Sequence, residues 1–197
     1  EFGYMKTIEN HSISSSVIHD FSSIYQNTFK ESYQNLYFNT KAIIELNKIN
    51  FIPQVKLGIL GYNTGDYSID GILSTSFKNF YINGGFSIQK VEPKFMQQEF
   101  RSNVVQWKND FSKISVNQLH GTVSTNLTNH SFKFDITAEK TNGLIYYYDE
   151  DKIAQYDDDL SWLKAVISHH FLHENFGSDF NLTFQQTSNQ KVLPRPK

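Results

Sequence analysis

The clearest pattern in the chain is an alternation of apolar and polar positions between Val55 and Val91. From Tyr67 to Phe77 the odd positions are apolar or small, and the even positions are mostly polar. After Lys78-Asn79 the alternation resumes from Phe80 to Ile88, now with the apolar residues at even positions. A period of two is typical of a β-strand whose two faces differ. This stretch therefore predicts antiparallel strands joined by tight turns.

The pairing of the strands on either side of Lys78-Asn79 follows from the same alternation. A two-residue turn there brings apolar or small residues together along one face, and a slip of one residue would destroy that match. The predicted pairs are Phe77–Phe80, Thr75–Ile82, Leu73–Gly84, Gly71–Phe86 and Ile69–Ile88.

A loop at Asn63-Thr64-Gly65 predicts the preceding hairpin, because Gly65 can adopt a left-handed backbone conformation. With a three-residue loop, the predicted pairs are Gly61–Tyr67, Ile59–Ile69 and Val55–Leu73. The apolar face would then continue over three strands.

Further strands are predicted along the rest of the chain. Asn117–Leu127 alternates, a four-residue connection at Thr128–Ser131 follows, and the alternation resumes from Phe132 to Ala138. Asn142-Gly143 is a strong hairpin signal that would pair Ala138 with Tyr147. The positions from 95 to 111 and from 180 to 186 also alternate.

Three segments are less clear. Residues 1–32 are the least certain part, for which irregular extended structure is expected, with one strand around Ser14–Tyr25. Residues 33–48 predict a strand, with a short helix from Lys41 to Asn47 as the alternative. Residues 160–173 fit either a helix or a strand, and the neighbouring strands favour the strand. No boundary divides residues 1–197, so we expect a single β-barrel domain or a fragment of one.

Composition narrows the class of protein. The chain has 197 residues, a net charge of −2 and no cysteine, so it has neither disulfides nor cysteine metal sites. The balanced charge gives no basic field, and we expect no nucleic-acid partner. No run of about 18 apolar residues suggests a transmembrane helix.

Two folds suit a sheet with unlike faces: a soluble β-sandwich with a dry core, and an antiparallel up-and-down transmembrane β-barrel whose apolar face contacts lipid. The strands are long, as the roughly 9–11 residues of a membrane strand require. The polar positions hold short Ser, Thr, Asn and Gln, and aromatic residues cluster at strand ends, as in the girdles of membrane barrels. These features favour an all-β transmembrane barrel, or part of one, over the soluble β-sandwich.

Several motifs carry a resemblance to a known family. They are Phe51-Ile52-Pro53 followed by Leu57-Gly58-Ile59; Asn103 with Trp107, Asn109 and Phe111; and the run from Leu144-Ile145-Tyr146-Tyr147 to Phe184-Gln185-Gln186-Thr187-Ser188-Asn189. With these motifs, the chain from about Tyr33 to Pro196 resembles the "putative porin" family of Bacteroidetes outer membranes. The resemblance implies an outer-membrane β-barrel of a Gram-negative bacterium, and family members longer than this chain.

The barrel interpretation assigns the two sets of alternating residues to two media. The residues predicted to face lipid are Ile69, Leu73, Phe77, Phe80, Ile82, Phe86, Leu119, Val123, Phe132, Phe134 and Ile136. The residues predicted to line the lumen are Asp70, Ser74, Asn83, Gln118, His120, Lys133, Asp135 and Glu139. The expected partners are membrane lipid and lipopolysaccharide, with envelope proteins or further copies of the chain as additional candidates.

Sequence motifs for catalysis are missing: there is no G-x-S-x-G, phosphate-binding loop or dinucleotide fingerprint. We therefore expect no enzyme and no cofactor. His169, His170 and His173 are spaced as metal ligands can be, but interfacial or loop histidines are the preferred interpretation. The acids at 149–151 and 157–159 lack the spacing of a calcium loop, which favours solvated loops. Trp107 could stack on a sugar, although a core or girdle position is favoured.

The function predicted from these observations is a passive, porin-like channel for small solutes. A soluble or secreted β-sandwich that binds ligands such as glycans is the first alternative. A non-conducting barrel that serves as a scaffold in an envelope complex is the second.

Overall fold

The computed structural model describes residues 2–26, 29–149 and 152–189. It consists almost entirely of strands, with one short helix. The elements are β1 (Phe2–Ile8), β2 (His11–Gln26), β3 (Phe29–Leu46), β4 (Ile49–Gly61), β5 (Tyr67–Phe77), β6 (Phe80–Val91), α1 (Phe95–Gln98), β7 (Glu99–Arg101), β8 (Gln106–Lys108), β9 (Ile114–Leu127), β10 (His130–Asn142), β11 (Ile145–Asp149), β12 (Lys152–Gln155), β13 (Asp159–His173) and β14 (Phe176–Thr187).

Ten of these strands form one antiparallel sheet in the order β1-β2-β3-β4-β5-β6-β9-β10-β13-β14. Every neighbour in the sheet is the next main strand along the chain, which is an up-and-down topology. Two small hairpins, β7–β8 and β11–β12, interrupt the order at one end. Within the described residues β1 and β14 do not pair, so the sheet is open, consistent with part of a barrel. The all-β, up-and-down prediction is confirmed, and one large sheet replaces the two packed layers of a sandwich.

Several local predictions agree with the structure. All five predicted pairs of the β5–β6 hairpin occur, including Phe77 opposite Phe80 and Leu73 opposite Gly84. Residues 160–173 lie in strand β13, and the segment from 33 to 46 is strand throughout. The first 32 residues are more regular than expected, because β1, all of β2 and the start of β3 lie there.

The predicted register between β4 and β5 is wrong by four residues. Tyr67 lies opposite Leu57 instead of Gly61, and Ile69 lies opposite Val55. The reason is a wider turn than three residues: the Gly58 N–H donates to the Asp66 carbonyl at 2.8 Å. The shift is an even number, so every side chain keeps its predicted face.

The predicted hairpin at Asn142-Gly143, which would pair Ala138 with Tyr147, is also wrong. Ala138 lies between Leu119 of β9 and Leu163 of β13, and Tyr147 pairs with Ile153 in the small hairpin β11–β12. Gly143 has the positive φ of 75° that a turn residue needs, but the turn directs the chain out of the main sheet.

Two other connections differ from the prediction. The link between β9 and β10 has two residues instead of four, since Leu127 lies opposite His130. The segment from 95 to 111 is not one alternating strand, because it folds into α1 and the short strands β7 and β8.

Five two-residue turns lie at one end of the sheet, and a constant offset separates them. The residue pairs that flank them are Ile8–His11, Leu46–Ile49, Phe77–Phe80, Leu127–His130 and His173–Phe176. The residues of each pair lie opposite a residue that is two positions away from the next turn. For example, Phe80 flanks its turn and opposes Thr125, which is two positions from Leu127, and Thr125 in turn opposes Phe132. The stagger is therefore two residues for each hairpin, or one residue for each strand.

This offset defines how the strands would be inclined. At about 3.3 Å per residue and about 4.8 Å between strands, turns that share one plane require a strand tilt of about 35°. Strands of β-barrels are typically tilted by about 35–45°. The sheet is therefore built with the stagger that closure into a barrel needs. We call the end with these turns the turn end and the opposite end the connection end.

Candidate functional site: the polar face and the connection end

The sheet has two unlike faces, and the register assigns every predicted residue to one of them. All eleven residues predicted to face lipid lie on one face, called here the apolar face. All eight residues predicted to line the lumen lie on the other, called the polar face. Which medium contacts each face is not observed in the structure and stays a prediction.

Exposure on the two faces is the reverse of a soluble protein. On the apolar face Leu73 is 43% exposed and Val123 is 39% exposed, while the polar-face residues Ser74 and Thr122 beside them are half-buried. The same contrast holds along most of β9 and β10. Burying polar groups and exposing apolar ones is unfavourable in water, so this pattern is the opposite of the one expected for a sheet surrounded by water.

The polar face carries several separate groups of hydrogen-bonded side chains. Asp70 accepts hydrogen bonds from Ser68 and, at 2.6 Å, from Ser87. Two strands further on, Thr122 donates to Asp135 at 2.7 Å, and Lys133 forms an ion pair with the same carboxylate at 3.0 Å. These pairs hold both charge signs at fixed positions on the face.

The polar face continues toward the connection end with two more features. Gln118 donates to Glu139 at 2.9 Å. His120 lies over Gly85, where a Cβ would meet the His120 ring at 2.4 Å, so glycine makes room for the imidazole. Hydrogen bonds or ion pairs thus orient five of the eight predicted lumen residues, and a sixth, His120, is accommodated by Gly85.

The apolar face has a sharp polar border. We define the turn distance of a residue as its number of positions from the turn-flanking residue of its own strand. On β3–β6, β9, β10, β13 and β14, apolar-face positions with turn distances from zero to eight contain no Asp, Glu, Lys or Arg. The first charges are Lys90 and Lys140, both at a turn distance of ten.

The uncharged band matches a bilayer in height. Eight residue steps of about 3.3 Å, inclined by about 35°, give about 22 Å. The apolar band of outer-membrane barrels is about 25 Å tall. Strand β1 departs from this pattern, because its apolar face includes Lys6 at a turn distance of two.

The connection end contains most of the fully buried side chains among the described residues. Asp66 is 7% exposed, and its carboxylate forms ion pairs and hydrogen bonds with two separate segments. Lys113 Nζ lies 2.5 Å from Asp66 Oδ1 and 3.1 Å from Glu92 Oε2. The backbone N–H of Glu92 and the side chain of Asn63 also donate to Asp66, at 2.8 and 2.6 Å.

The electrostatics of this cluster keep Lys113 charged. Burial favours the neutral amine, but the hydrogen bonds and charges of Asp66 and Glu92 outweigh it and raise the pKa of Lys113. The ion pair therefore ties the start of β9 to the loop before β5.

Three aromatic rings pack beside the ion pair. Tyr33, Tyr62 and Phe95 have ring centroids 5.3 to 6.1 Å apart. The Tyr62 hydroxyl donates to the Pro93 carbonyl at 2.7 Å. Burial, together with the negative charge of Glu92, raises the pKa of Tyr62.

The two long connections contact each other. Gln155, from the second connection, donates to the Ser112 carbonyl of the first at 2.8 Å and accepts from the Ser112 N–H at 2.9 Å. Trp107 stacks on Phe100 at 4.6 Å and meets Tyr147 edge-on at 6.3 Å. Trp107 is thus part of a packed aromatic cluster, and its Nε1 donates to the Met96 carbonyl.

These connections cover the polar face. At the connection end Thr141, Leu160 and Thr187 of the polar face are buried, whereas their apolar-face neighbours Lys140 and Ser161 are exposed. Residues 92–113, 143–149 and 152–158 therefore lie on the polar-face side of the sheet. Sequence analysis missed this cluster, because its members are far apart in the chain and none belongs to a recognisable motif.

Of the three histidines that are close in sequence, His169 and His173 lie on the apolar face and His170 lies on the polar face. His169 lies on the apolar face, 3.0 Å from His130, whereas His170 pairs with Asp179 on the polar face at 2.5 Å. Asp149 pairs with Lys152, and Glu150 and Asp151 lie outside the described residues. Within the described ranges, no three His, Asp or Glu side chains are grouped to hold a metal ion.

No helix in the described part of the chain is long and apolar enough to cross a membrane. Comparison with curated proteins gives no match. The model of a family described as "Putative porin" matches residues 3–197, which is nearly the whole chain. With this match added to the up-and-down sheet and its two faces, the chain belongs to that porin family.

Proposed function

We propose that the protein is a passive channel for small solutes across the outer membrane of a Gram-negative bacterium. Family membership supports a porin-like β-structure of the outer membrane. The observation that carries the proposal is the reversed exposure of the two faces, with charged and amide side chains half-buried on one face and apolar side chains exposed on the other. In this proposal the polar face lines the lumen, and lipid contacts the apolar face.

The selectivity of the channel would depend on the charges of the polar face. Lys133 and Asp135 lie on one strand, 3.0 Å apart, and are the first candidates. The connections that cover the polar face would narrow one mouth, with Lys113, Asp66 and Glu92 as their anchor.

Conductance of the full-length protein in planar bilayers tests the proposal. We expect open channels, and replacing Lys133→Gln should shift the ion preference toward cations. Because a unit charge about 4 Å away in water contributes about 1 kcal/mol, the permeability ratio should change by no more than about fivefold. Lys6→Gln, on the opposite face, is the matched control and should leave the ratio unchanged.

A second candidate is a non-conducting barrel that acts as a scaffold. The observation in its favour is the packed cluster at the connection end, where buried side chains cover the polar face. Folded protein that inserts into bilayers without conducting, even after the Asp66–Lys113 ion pair is removed, would support the scaffold and contradict the channel.

A further inference from the structure

Three isoleucines interrupt the hydrogen-bonding side chains of the polar face. Ile52 of β4 lies opposite Ile72 of β5, and the register between β3 and β4 places Ile43 opposite Ile52. Ile43 and Ile52 are half-buried, and Ile72 is 39% exposed. Because side chains that share a row of a sheet are in contact across the strands, the isoleucines form a continuous apolar strip on the face that the channel proposal assigns to the lumen.

The strip ends at an imidazole ring. Gly85 of β6 lies opposite Ile72, and His120 of β9 lies opposite Gly85. The His120 ring extends over Gly85, where a Cβ would lie 2.4 Å from Cε1 and 2.9 Å from Nε2. His120 has no hydrogen-bond partner within the described part of the chain. The last member of the strip is therefore a half-buried ring whose nitrogens are available to a ligand.

Hydrogen-bonding side chains border the strip on both sides without a gap. The row on the side of the turn end consists of Glu45, Asn50, Ser74, Asn83 and Thr122, and the row on the side of the connection end consists of Lys41, Gln54, Asp70, Ser87 and Gln118. Both rows cross the same strands as the strip, namely β3 to β6 and β9. A ligand on the strip would thus have an apolar surface beneath it and hydrogen-bonding groups along both of its edges.

The strip climbs along the sheet because the strands are staggered. Its turn distance is three at Ile43 and Ile52, five at Ile72 and Gly85, and seven at His120. With about 3.3 Å per residue and a strand tilt of about 35°, the difference of four positions is a rise of about 11 Å. These turn distances all fall within the height of the uncharged band. The strip would therefore run obliquely along the membrane-spanning part of the channel.

We propose that this strip is a saccharide-binding track, which makes uncharged sugars the preferred solutes of the channel. The inference rests on the proposed function, because it needs the polar face to line a lumen. A sugar ring has an apolar face of C–H groups and hydroxyl groups around its edge. Its C–H face would lie on the isoleucines and the His120 ring, and its hydroxyls would bond to the two polar rows. An alkyl chain or a plain aromatic solute offers these rows no hydroxyls.

Block of the single-channel current by cellotriose, a linear trisaccharide, tests the inference with the full-length protein in planar bilayers. Ile52→Ser and Ile72→Ser should each raise the half-blocking concentration about threefold, and the double variant about tenfold. These changes are expected if each substitution removes about 25 Å² of apolar contact. His120→Ala should raise the half-blocking concentration about fivefold, because one hydrogen bond to the sugar is lost.

Matched variants and solutes control for folding and for solute size. Ile69 lies on the same strand as Ile72 and is equally exposed, at 39%, but on the opposite face. Ile69→Ser should therefore leave the half-blocking concentration unchanged. Ile72→Val keeps an apolar side chain and should retain the block. Polyethylene glycol of the same mass has no ring face, and it should block the wild type and the double variant equally weakly.

An unchanged half-blocking concentration in the double variant would overturn the inference, as would an equally strong block by polyethylene glycol. Calorimetry of cellotriose binding to the same proteins in detergent separates the inference from the channel proposal. Binding that requires the isoleucines, in a protein that does not conduct, would contradict the channel alone. Normal conductance without cellotriose binding would contradict the saccharide track alone.

Discussion

The middle of the sheet and its connection end are stabilised in different ways. In the middle, apolar side chains such as Leu73 and Val123 are exposed, and the described residues provide no second layer over them. At the connection end, Leu160 is 1% exposed and Asp66 is held by several hydrogen bonds. The middle therefore depends on the medium around the protein, whereas the connection end has a small core of its own.

The comparison explains why a protein with so few buried apolar residues can be folded. Apolar burial is the main driving force of folding in water. A sheet whose apolar face meets hydrocarbon instead needs every backbone group to be paired within the sheet, and a ten-stranded antiparallel ladder provides this everywhere except at its two edge strands.

The largest expected loss of stability comes from placing a charge on the apolar face in the middle of the sheet. Leu73 has a turn distance of four, at the centre of the uncharged band, and Leu73→Arg should destabilise the protein in lipid by about 2–4 kcal/mol. Unfolding by denaturant in lipid vesicles measures the loss.

Two arginine variants on the same strand control for this result. Ser74→Arg is on the polar face and should cost much less. Phe77→Arg is at the turn end, where a charge on the lipid face costs about 0–1 kcal/mol. Equal losses at Leu73 and Ser74 would contradict the proposed facing, and equal losses at Leu73 and Phe77 would contradict the proposed depth.

The features of the sheet that depend on neighbouring residues alone could be predicted from the sequence. Alternation with a period of two assigns each side chain to a face, and the Lys78-Asn79 turn sets the register of β5 and β6 correctly. At the preceding turn the same pattern predicts the wrong register. The alternation does not reveal the hydrogen bond from the Gly58 N–H to the Asp66 carbonyl, which widens the turn.

The connection end could not be predicted from the sequence. Lys113 and Asp66 are 47 positions apart, and nothing in the local pattern around either residue indicates the other. Asn142-Gly143 does form a turn, with Gly143 at a positive φ of 75°, but the direction in which the chain continues depends on packing of the second connection. The stagger of the strands and the height of the uncharged band depend on the registers of all the strands together, which no local pattern determines.

The second prediction concerns the core of the connection end. Asp66→Ala should destabilise the protein by about 1–3 kcal/mol. It removes the nearer ion-pair partner of the partly buried Lys113, and it removes the acceptor of the hydrogen bonds from the Glu92 N–H and the Asn63 side chain. The loss should be the same in detergent and in lipid, unlike that of Leu73→Arg. Asp179→Ala, which removes an exposed contact with His170, should cost less than about 1 kcal/mol. A loss at Asp66 that varies with the medium would contradict an internal core at this end.

The smallest expected effect is a loss of stability at alkaline pH that affects the connection end and not the middle of the sheet. The pKa values of Tyr62 and Lys113 are raised above their ordinary values of 10.0 and 10.5. A raised pKa means that the protonated form is favoured in the folded state. Its stabilisation is therefore complete below about pH 10 and is lost as the pH rises through the folded pKa values.

Alkaline unfolding should accordingly begin at the connection end, with the middle of the sheet intact. Tyr62→Phe removes the hydrogen bond to Pro93 and should cost about 1 kcal/mol at neutral pH. It should also reduce the loss of stability between neutral and alkaline pH, since the phenol that titrates late is gone. Tyrosinate absorbance of wild type and variant, recorded with far-ultraviolet circular dichroism, measures both effects. An unchanged alkaline profile in Tyr62→Phe would mean that the ionisation of Tyr62 is not coupled to the folding of this end.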